Sequence, residues 1–376
     1  MKNNKIKIAL VHDYIKEYGG AESVLEELSD IYPEAQIFTS LYCPKFLGPH
    51  QNRLQDKWKN RINQSFFQYI PFAYKIISPL RLLSPFAFKH FDFSKYDIII
   101  SSATGAYFPN SLNKKSAKLI CYCHTPPRYL YGLPTARNFT NNKFIKALAF
   151  FVNHWLRLLD FKFAQNVDQF IANSSTTALR IKKFYRRDSI IINPPVTINQ
   201  VAPVLSKKGD GGRFFLTGGR LARAKRYDIA ILACNNLHLP LKIFGRDFAN
   251  YQEELKNISG PNIEFIGEIT QAEKQKLLSN AKAFIFCSDN EDFGIAPVEA
   301  MAVGTPVIGY RSGGTTETVI DGKTGILFDE LTVTSCVDAI LKLNKTKITS
   351  QNCITQAQKF SKQVFVDKIK KLLKNY

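Results

Sequence analysis

The chain has 376 residues, more than one domain usually holds, so two domains are expected. With 45% hydrophobic and 22% charged residues the composition is that of a soluble globular protein and excludes a disordered one. The formal net charge is +20 and uneven: residues 35–160 carry 17 Lys and Arg against four acids, Asp56, Asp92, Asp97 and Asp160. Such a field suits a polyanion, whether nucleic acid, an anionic membrane or a phosphate-bearing ligand, or reflects a generally basic proteome.

The elements alternate. Residues 5–11 (KIKIALV) predict a buried strand, followed by a loop ending in Gly19-Gly20 and a helix over AESVLEELSDIY. Further strands are predicted at 36–39, 97–102, 118–123, 168–172 and 189–192, with an irregular basic and aromatic stretch over 51–93. The polar run 205–212 reads as a linker. Beyond it, strands at 213–218, 241–245, 263–267, 283–287 and 306–310 alternate with helices from about 227, near 249–257, at 270–281, 295–303 and 315–320. Residues 332–376 are helical in pattern. Strand–helix alternation in both halves predicts two parallel sheets covered by helices, with ligands outside the carboxyl ends of the strands. Two such halves are expected to hold a ligand in the cleft between them.

The seven cysteines are scattered, as expected of buried thiols in a reducing compartment. The N-terminal apolar run is too short for a signal peptide. The segment 144–164 is interrupted by Lys146, His154, Arg157 and Asp160, so it is not expected to span a bilayer. A cytoplasmic protein, peripheral on the inner membrane face, is the expectation.

Three stretches carry chemistry. In SDNEDFGIAPVEAMAVG (288–304), Glu291 follows a strand, Phe293-Gly294 turns the chain, and Pro297 sits early in a helix where its missing N–H costs little. The first-turn amides suit an anionic or polar oxygen group, and Glu299 lies roughly 7.5 Å of helix rise inside that start. Two carboxylates around such a turn suit sugar and ribose hydroxyls; a capping acid with a solvated helix glutamate fits equally well. In LTGGRLARAKRYD (216–228), Arg220 and Lys225 after a glycine pair suit a diphosphate, with a merely basic loop as the alternative. In CYCHTPPRYLYGLP (121–134), His124 follows a strand directly and is suited to bonding a ligand or moving a proton; a structural histidine is the other reading. No metal-ligand spacing is present in the sequence, so cations rather than a divalent metal are expected to neutralise phosphates.

Together, EDFGIAPVEAMAVGTPVIGYRSGGTTETVIDGKTGILF (291–328), GGRLARAKRYD (218–228), IEFIGEI (263–269), YCHTPPRYLY (122–131) and YGGAE (18–22) resemble a family-four retaining glycosyltransferase of the GT-B fold. The resemblance covers most of the chain. It implies an α/β architecture of two Rossmann-like domains facing across a cleft: 1–204 on the acceptor side, 205–360 on the donor side, and 361–376 as a helix packing back on the first. It further implies that Arg220 and Lys225 hold the donor diphosphate, Glu299 the ribose, and Glu291 with the backbone of Phe293, Gly294 and Ile295 the transferred sugar. Gly20 would bring backbone against the diphosphate, His124 would contact the sugar, and the base would rest at Ile266-Gly267. Arg128 and Tyr129 would face the acceptor. FGRDFANY (244–251) departs from the family's Gly-Asp-Gly and leaves both GDP and UDP open. KRYD and HTPPRY resemble the mannosyltransferase branch, which implies mannose from GDP-mannose, with no cofactor. The acceptor is read from charge alone: the 17-to-4 excess of cations, with aromatics among them, suits docking on anionic lipid, and a lipid-linked or cell-envelope glycan is the expected acceptor. A nucleotide-sugar epimerase and a non-catalytic sugar-nucleotide binder are the rivals. A nucleic-acid-binding protein is a third, but no reader motif accompanies the charge.

Overall fold

A computed structural model describes residues 6–104, 107–135, 143–198, 214–374 and 376, with the side chains of 143–148 outside the description. The predicted linker 205–212 lies outside the described residues. The chain divides into two compact units, Met1–Leu133 with Thr140–Pro194 and Lys368–Tyr376, and Pro134–Phe139 with Pro195–Asp367.

The first unit runs β1 (Ile8–His12), α1 (Gly20–Ile31), β2 (Gln36–Thr39), α2 (Gln51–Trp58), β3 (Ile62–Gln64), α3 (Ile77–Leu80), α4 (Ser84–Lys89), β4 (Ile98–Ala103), β5 (Lys118–Cys123), α5 (Lys143–Gln165), β6 (Gln169–Ala172), α6 (Ser175–Tyr185) and β7 (Ser189–Ile191). Its sheet has the order β3-β2-β1-β4-β5-β6-β7, all pairs parallel. The central strands β1, β4 and β5 are apolar on both faces because helices cover both. One core gathers Val11, Phe38, Phe88, Ile99, Cys121 and Phe170. α1 starts without a side chain at its Gly19 cap; the Glu22 carboxylate reaches back to the Gly19 amide at 2.9 Å.

The second unit runs β8 (Phe215–Gly218), α7 (Tyr227–Asn236), β9 (Leu241–Phe244), α8 (Tyr251–Asn257), β10 (Ile263–Gly267), α9 (Gln271–Asn280), β11 (Phe284–Phe286), α10 (Ile295–Ala302), β12 (Val307–Tyr310), α11 (Thr315–Thr318), β13 (Gly325–Phe328), α12 (Val333–Lys345), α13 (Ser350–Gln358) and α14 (Lys362–Leu373), whose last residues cluster with the first unit. The sheet order is β10-β9-β8-β11-β12-β13, again parallel throughout.

In each sheet the strand order reverses between two central neighbours, β1 and β4 in one and β8 and β11 in the other. Connections on either side of such a point leave toward opposite faces and open a crevice at the carboxyl ends of those strands, where open α/β sheets bind ligands. The stretches carrying Gly20, Arg220 with Lys225, and Glu291 follow β1, β8 and β11, and the one carrying His124 follows β5, the neighbour of β4. All seven cysteines are buried and free. Among the described residues no helix is long and apolar enough to cross a membrane.

Candidate active site

In the second unit the loops after β8 and β11 meet. The Asp289 amide donates to the Ala224 carbonyl at 3.3 Å. Lys225 closes a short 3-10 turn, Arg223–Lys225, and its Nζ lies 2.5 Å from Glu291 Oε2, which also accepts from Ser288 Oγ at 2.6 Å. Both side chains remain partly open to solvent, at 29% and 17%. The other two cations of the loop are engaged by local acids: Arg223 by Glu254, and Arg226 by Asp228 at 2.9 Å. The guanidinium of Arg220 stacks on Phe248, 5.3 Å from the ring centroid. Burial holds the Tyr227 hydroxyl well above the usual phenol range; Glu291 adds to the rise and Arg220 opposes it, so both charges act on that one oxygen. The Tyr227 hydroxyl also donates to the Arg220 carbonyl at 3.3 Å, so Arg220 and Glu291 lie near Tyr227, and Lys225 joins them through its contact with Glu291.

Close backbone packing fixes these loops. A Cβ on Gly245 would lie 1.7 Å from the Gly219 carbonyl oxygen, so the loop carrying Arg220 lies directly on the backbone after β9. A Cβ on Gly314 would lie 2.3 Å from Phe293 Cα, and the Gly314 amide donates to the Glu291 carbonyl at 2.8 Å. Thus the RSGG segment after β12 supports the Glu291–Phe293 segment from below. Phe293 itself is a core side chain, packed edge-on against Phe360. Gly294 caps α10 in the left-handed region, leaving the first-turn amides of Ile295 and Ala296 without a side-chain cap.

Glu299 stands farther along α10, and Lys274 of α9 approaches its Oε1 at 2.6 Å, each side chain about one-fifth exposed. Lys274 was not singled out by sequence reasoning; α9 is polar on most sides, and nothing local marks one of its lysines. Ile266 lies in the edge strand β10, half-buried against the core beneath α10, and Gly267 follows a register shift against β9.

In the first unit the strand ends bring together residues that the sequence did not link. His12 closes β1 and faces Ser102 of β4 in the sheet register. Ser102 Oγ lies 2.9 Å from Nε2 of His124, which follows β5 and is fixed through its backbone by Ala103, Asn173 and Thr177. His12 is fully buried, with Nε2 3.6 Å from the Glu22 carboxylate. Burial, with His12 adding its charge, pulls His124 down to about 3, so its imidazole is neutral near pH 7. Asp13, also buried, accepts from the Thr104 amide at 3.1 Å and from its hydroxyl. Gly20 opens α1 directly beside Glu22. The signal that points to His124, a titratable residue at the end of a buried strand, applies equally to His12 and Asp13 at the end of β1. Tyr129 is largely buried beneath Arg81, whose guanidinium is 4.3 Å from its ring centre, and burial pushes its hydroxyl up to about 12. Arg128 lies in the same turn, directly before Tyr129.

Among the described residues no cluster of His, Cys, Asp and Glu is arranged to hold a metal ion.

The fold matches solved GT-B enzymes. A sucrose-phosphate synthase from Thermosynechococcus elongatus superimposes with a TM-score of 0.75 at 17% identity, covering 99% of both chains. Anabaena HepE, solved with UDP and glucose, gives 0.70 at 19% identity over 99% of this chain and 100% of that one. The chain thus has the GT-B fold. The description "Glycosyltransferase Family 4" matches residues 18–200, and "Glycosyl transferases group 1" matches residues 204–360. Among curated relatives, the alpha-1,3/1,6-mannosyltransferase ALG2 of Dictyostelium discoideum is 27% identical over 308 residues, 69% of this chain and 70% of that one. The mouse protein of the same description is 23% identical over 73% of this chain and 72% of its own. The chain belongs to the family-four glycosyltransferases, and within them it is similar to mannosyltransferases.

Proposed function

We propose that the protein transfers mannose from GDP-mannose, with retention of anomeric configuration and without a metal ion, to a lipid-linked or cell-envelope glycan. One observation carries the reading: Lys225, Arg220 and Glu291 gather at the carboxyl ends of β8 and β11, the crevice position of the second sheet. The mannosyl choice rests on the similarity to the ALG2 mannosyltransferases.

The roles follow from charge. Arg220 and Lys225 take the donor diphosphate, one as a planar fork and one as a point charge. Glu299 accepts hydrogen bonds from the ribose hydroxyls. Glu291 and the backbone of Phe293, Gly294 and Ile295 take those of the sugar, and the base rests at Ile266. In the first unit, Gly20 and His124 are proposed to bond ligand oxygens at the strand ends, with neutral His124 as a hydrogen-bond partner rather than an acid. When the bond between the anomeric carbon and the diphosphate oxygen breaks, negative charge grows on that oxygen and positive charge on the ring. The two cations and the α10 amides stabilise the oxygen; preorganised donors of this kind are typically worth ~10²–10³ each in rate. The acceptor oxygen bonds to the same face of the anomeric carbon, and its proton passes to a diphosphate oxygen.

The test is nucleotide release from GDP-mannose, UDP-glucose and UDP-N-acetylglucosamine, with and without a polyprenyl-diphosphate glycan. Acceptor-stimulated release of GDP alone is expected. Preference for a uridine donor would overturn the mannosyl assignment. Conversion of a donor without acceptor would indicate an epimerase.

A further inference from the structure

The first sheet ends in the short edge strand β3, and a hollow of about 590 Å³ lies beside it. That volume is in the range of small-molecule sites. Its less polar lining is Trp58, 1% exposed at the end of α2, with Ile62 of β3 and Tyr42. Around these stand Gln55, Asp56, Lys59, Asn60 and Gln64. Among the described residues none of these five side chains, nor the Tyr42 hydroxyl, has a hydrogen-bond or ion-pair partner in the protein. Other polar side chains of the same segment are taken: Arg53 and Lys57 by Glu26, Arg61 by three backbone carbonyls, and Asn63 by Gln36. Those bonds hold the hollow in shape, as do the Trp58 indole, which donates to Ser29 Oγ at 2.9 Å, and the bridge pairing Tyr42 with Ile15. A ligand therefore has little left to order.

Chemistry selects the occupant. The chain carries a net +20, yet the hollow holds one ammonium and one carboxylate, Lys59 and Asp56, and is neutral in sum. Asp56 is one of only four acids between residues 35 and 160. A phosphate would meet that carboxylate at close range, and an acyl chain would strip water from three amides without replacing it. An added peptide strand would find only three residues of β3 to pair with. A saccharide suits both parts of the lining. Each of its hydroxyls donates and accepts, which amide side chains answer in both senses, and its C–H face packs on aromatic carbon. We propose that this hollow binds a neutral saccharide, as an outer subsite for the glycan of the acceptor. That role rests on the glycan-acceptor reading of the function. Tyr42 and Gln64 mark the end of the hollow at the carboxyl ends of β2 and β3. β1 lies two strand spacings from β3, roughly 10 Å, so a glycan reacting beside β1 reaches the hollow with its neighbouring sugars.

The full chain is titrated calorimetrically with a linear mannopentaose, without donor and again with saturating GDP. Binding is expected in both, at equal strength. Asp56→Ala and Gln64→Ala should each weaken it about three- to tenfold, the loss of one hydrogen-bonding group. Both positions are exposed, so the melting temperature should stay unchanged. Gln55→Trp fills the hollow and should abolish binding. With polyprenyl-diphosphate acceptors, Gln64→Ala should raise KM about threefold or more for one carrying an oligosaccharide. For one carrying a single sugar KM should stay put, and kcat should hold for both. No binding of mannopentaose to wild type, or equal binding by wild type and the three variants, would overturn the site. Weakened binding with both KM values unchanged would overturn its role toward the acceptor. Absence of transfer from every donor would overturn the proposed function, not the site, which the calorimetry decides.

Discussion

Lys225 Nζ and Glu291 Oε2 stand 2.5 Å apart, and the pair ties the loop after β8 to the loop after β11 at the reversal of strand order. Neither group is deeply buried, so the pair adds little to folding stability. Lys225→Ala is therefore expected to melt within a few degrees of wild type, since Ser288 still holds Glu291. Turnover should drop by about two orders of magnitude or more, because the leaving oxygen loses a fixed cation. Lys225→Arg should recover part of it. Nucleotide release by the purified variants is the measurement, and near-normal turnover in Lys225→Ala would remove the lysine from the mechanism.

Lys274 and Glu299 separate two roles. Glu299→Ala removes the acceptor proposed for the ribose and should reduce turnover by about two orders of magnitude or more in a folded protein. Lys274→Ala leaves that carboxylate in place and only loosens it. The expected result is a raised KM for the donor with kcat close to wild type, and recovery in Lys274→Arg. A loss confined to kcat would contradict the positioning role of Lys274.

The sequence shows best what is local. β2 and β5 fall where their apolar runs predict, because buried parallel strands need apolar residues on both faces, and the half-buried edge strand β10 is still marked by Ile263, Phe265 and Ile266 packed against the core. β3, the polar edge strand Ile-Asn-Gln inside the irregular 51–93 stretch, is invisible by the same rule. β13 is short and was read only as part of a motif. In the site, Lys225 and Glu291 were each visible from their loops. Their contact, the pairing of Arg223 with Glu254 and Lys274 facing Glu299 are long-range pairings that no local pattern encodes, whereas Arg226 pairs with Asp228 only two residues on.

Gly314→Ala tests the support beneath the glutamate loop. The added methyl would overlap the Phe293 backbone, and only a shift of the Glu291–Phe293 segment relieves the clash. A destabilisation of about 1–3 kcal/mol is expected by thermal unfolding. Activity should fall by more than the loss of folded protein accounts for, since Glu291 moves away from Lys225. Full specific activity in the folded fraction would show that the loop position is not critical.

His124 gives a pH prediction. Its folded value, about 3, lies below the ordinary imidazole value, so the unfolded chain binds the proton first. Its contribution to stability is complete above about pH 6.5 and is lost as the pH falls toward 3. No limb of the pH–rate profile near neutrality should belong to it. His124→Ala should lower turnover without moving the apparent pKa values of the profile. An acid limb present in the wild type and absent in this variant would count against a neutral histidine.

Asp160 acts with the opposite sign. Burial is the main cause of its carboxyl rising to about 7, partly offset by hydrogen bonds from Tyr131 and Tyr185. An unfolded aspartate ionises near pH 4, so between about pH 4 and 7 the unfolded chain has lost a proton that the folded chain keeps. This group therefore costs no stability below about pH 4, costs progressively more up to about pH 7, and is constant above. Asp160→Asn keeps a donor and an acceptor for the tyrosines but cannot ionise. Relative to wild type it should gain on the order of 2 kcal/mol in going from about pH 4.5 to about pH 7.5. Denaturant unfolding at the two pH values measures this directly. A variant and wild type that differ by the same amount at both would show that Asp160 is ionised inside the fold, and that the tyrosine hydroxyls alone stabilise its charge.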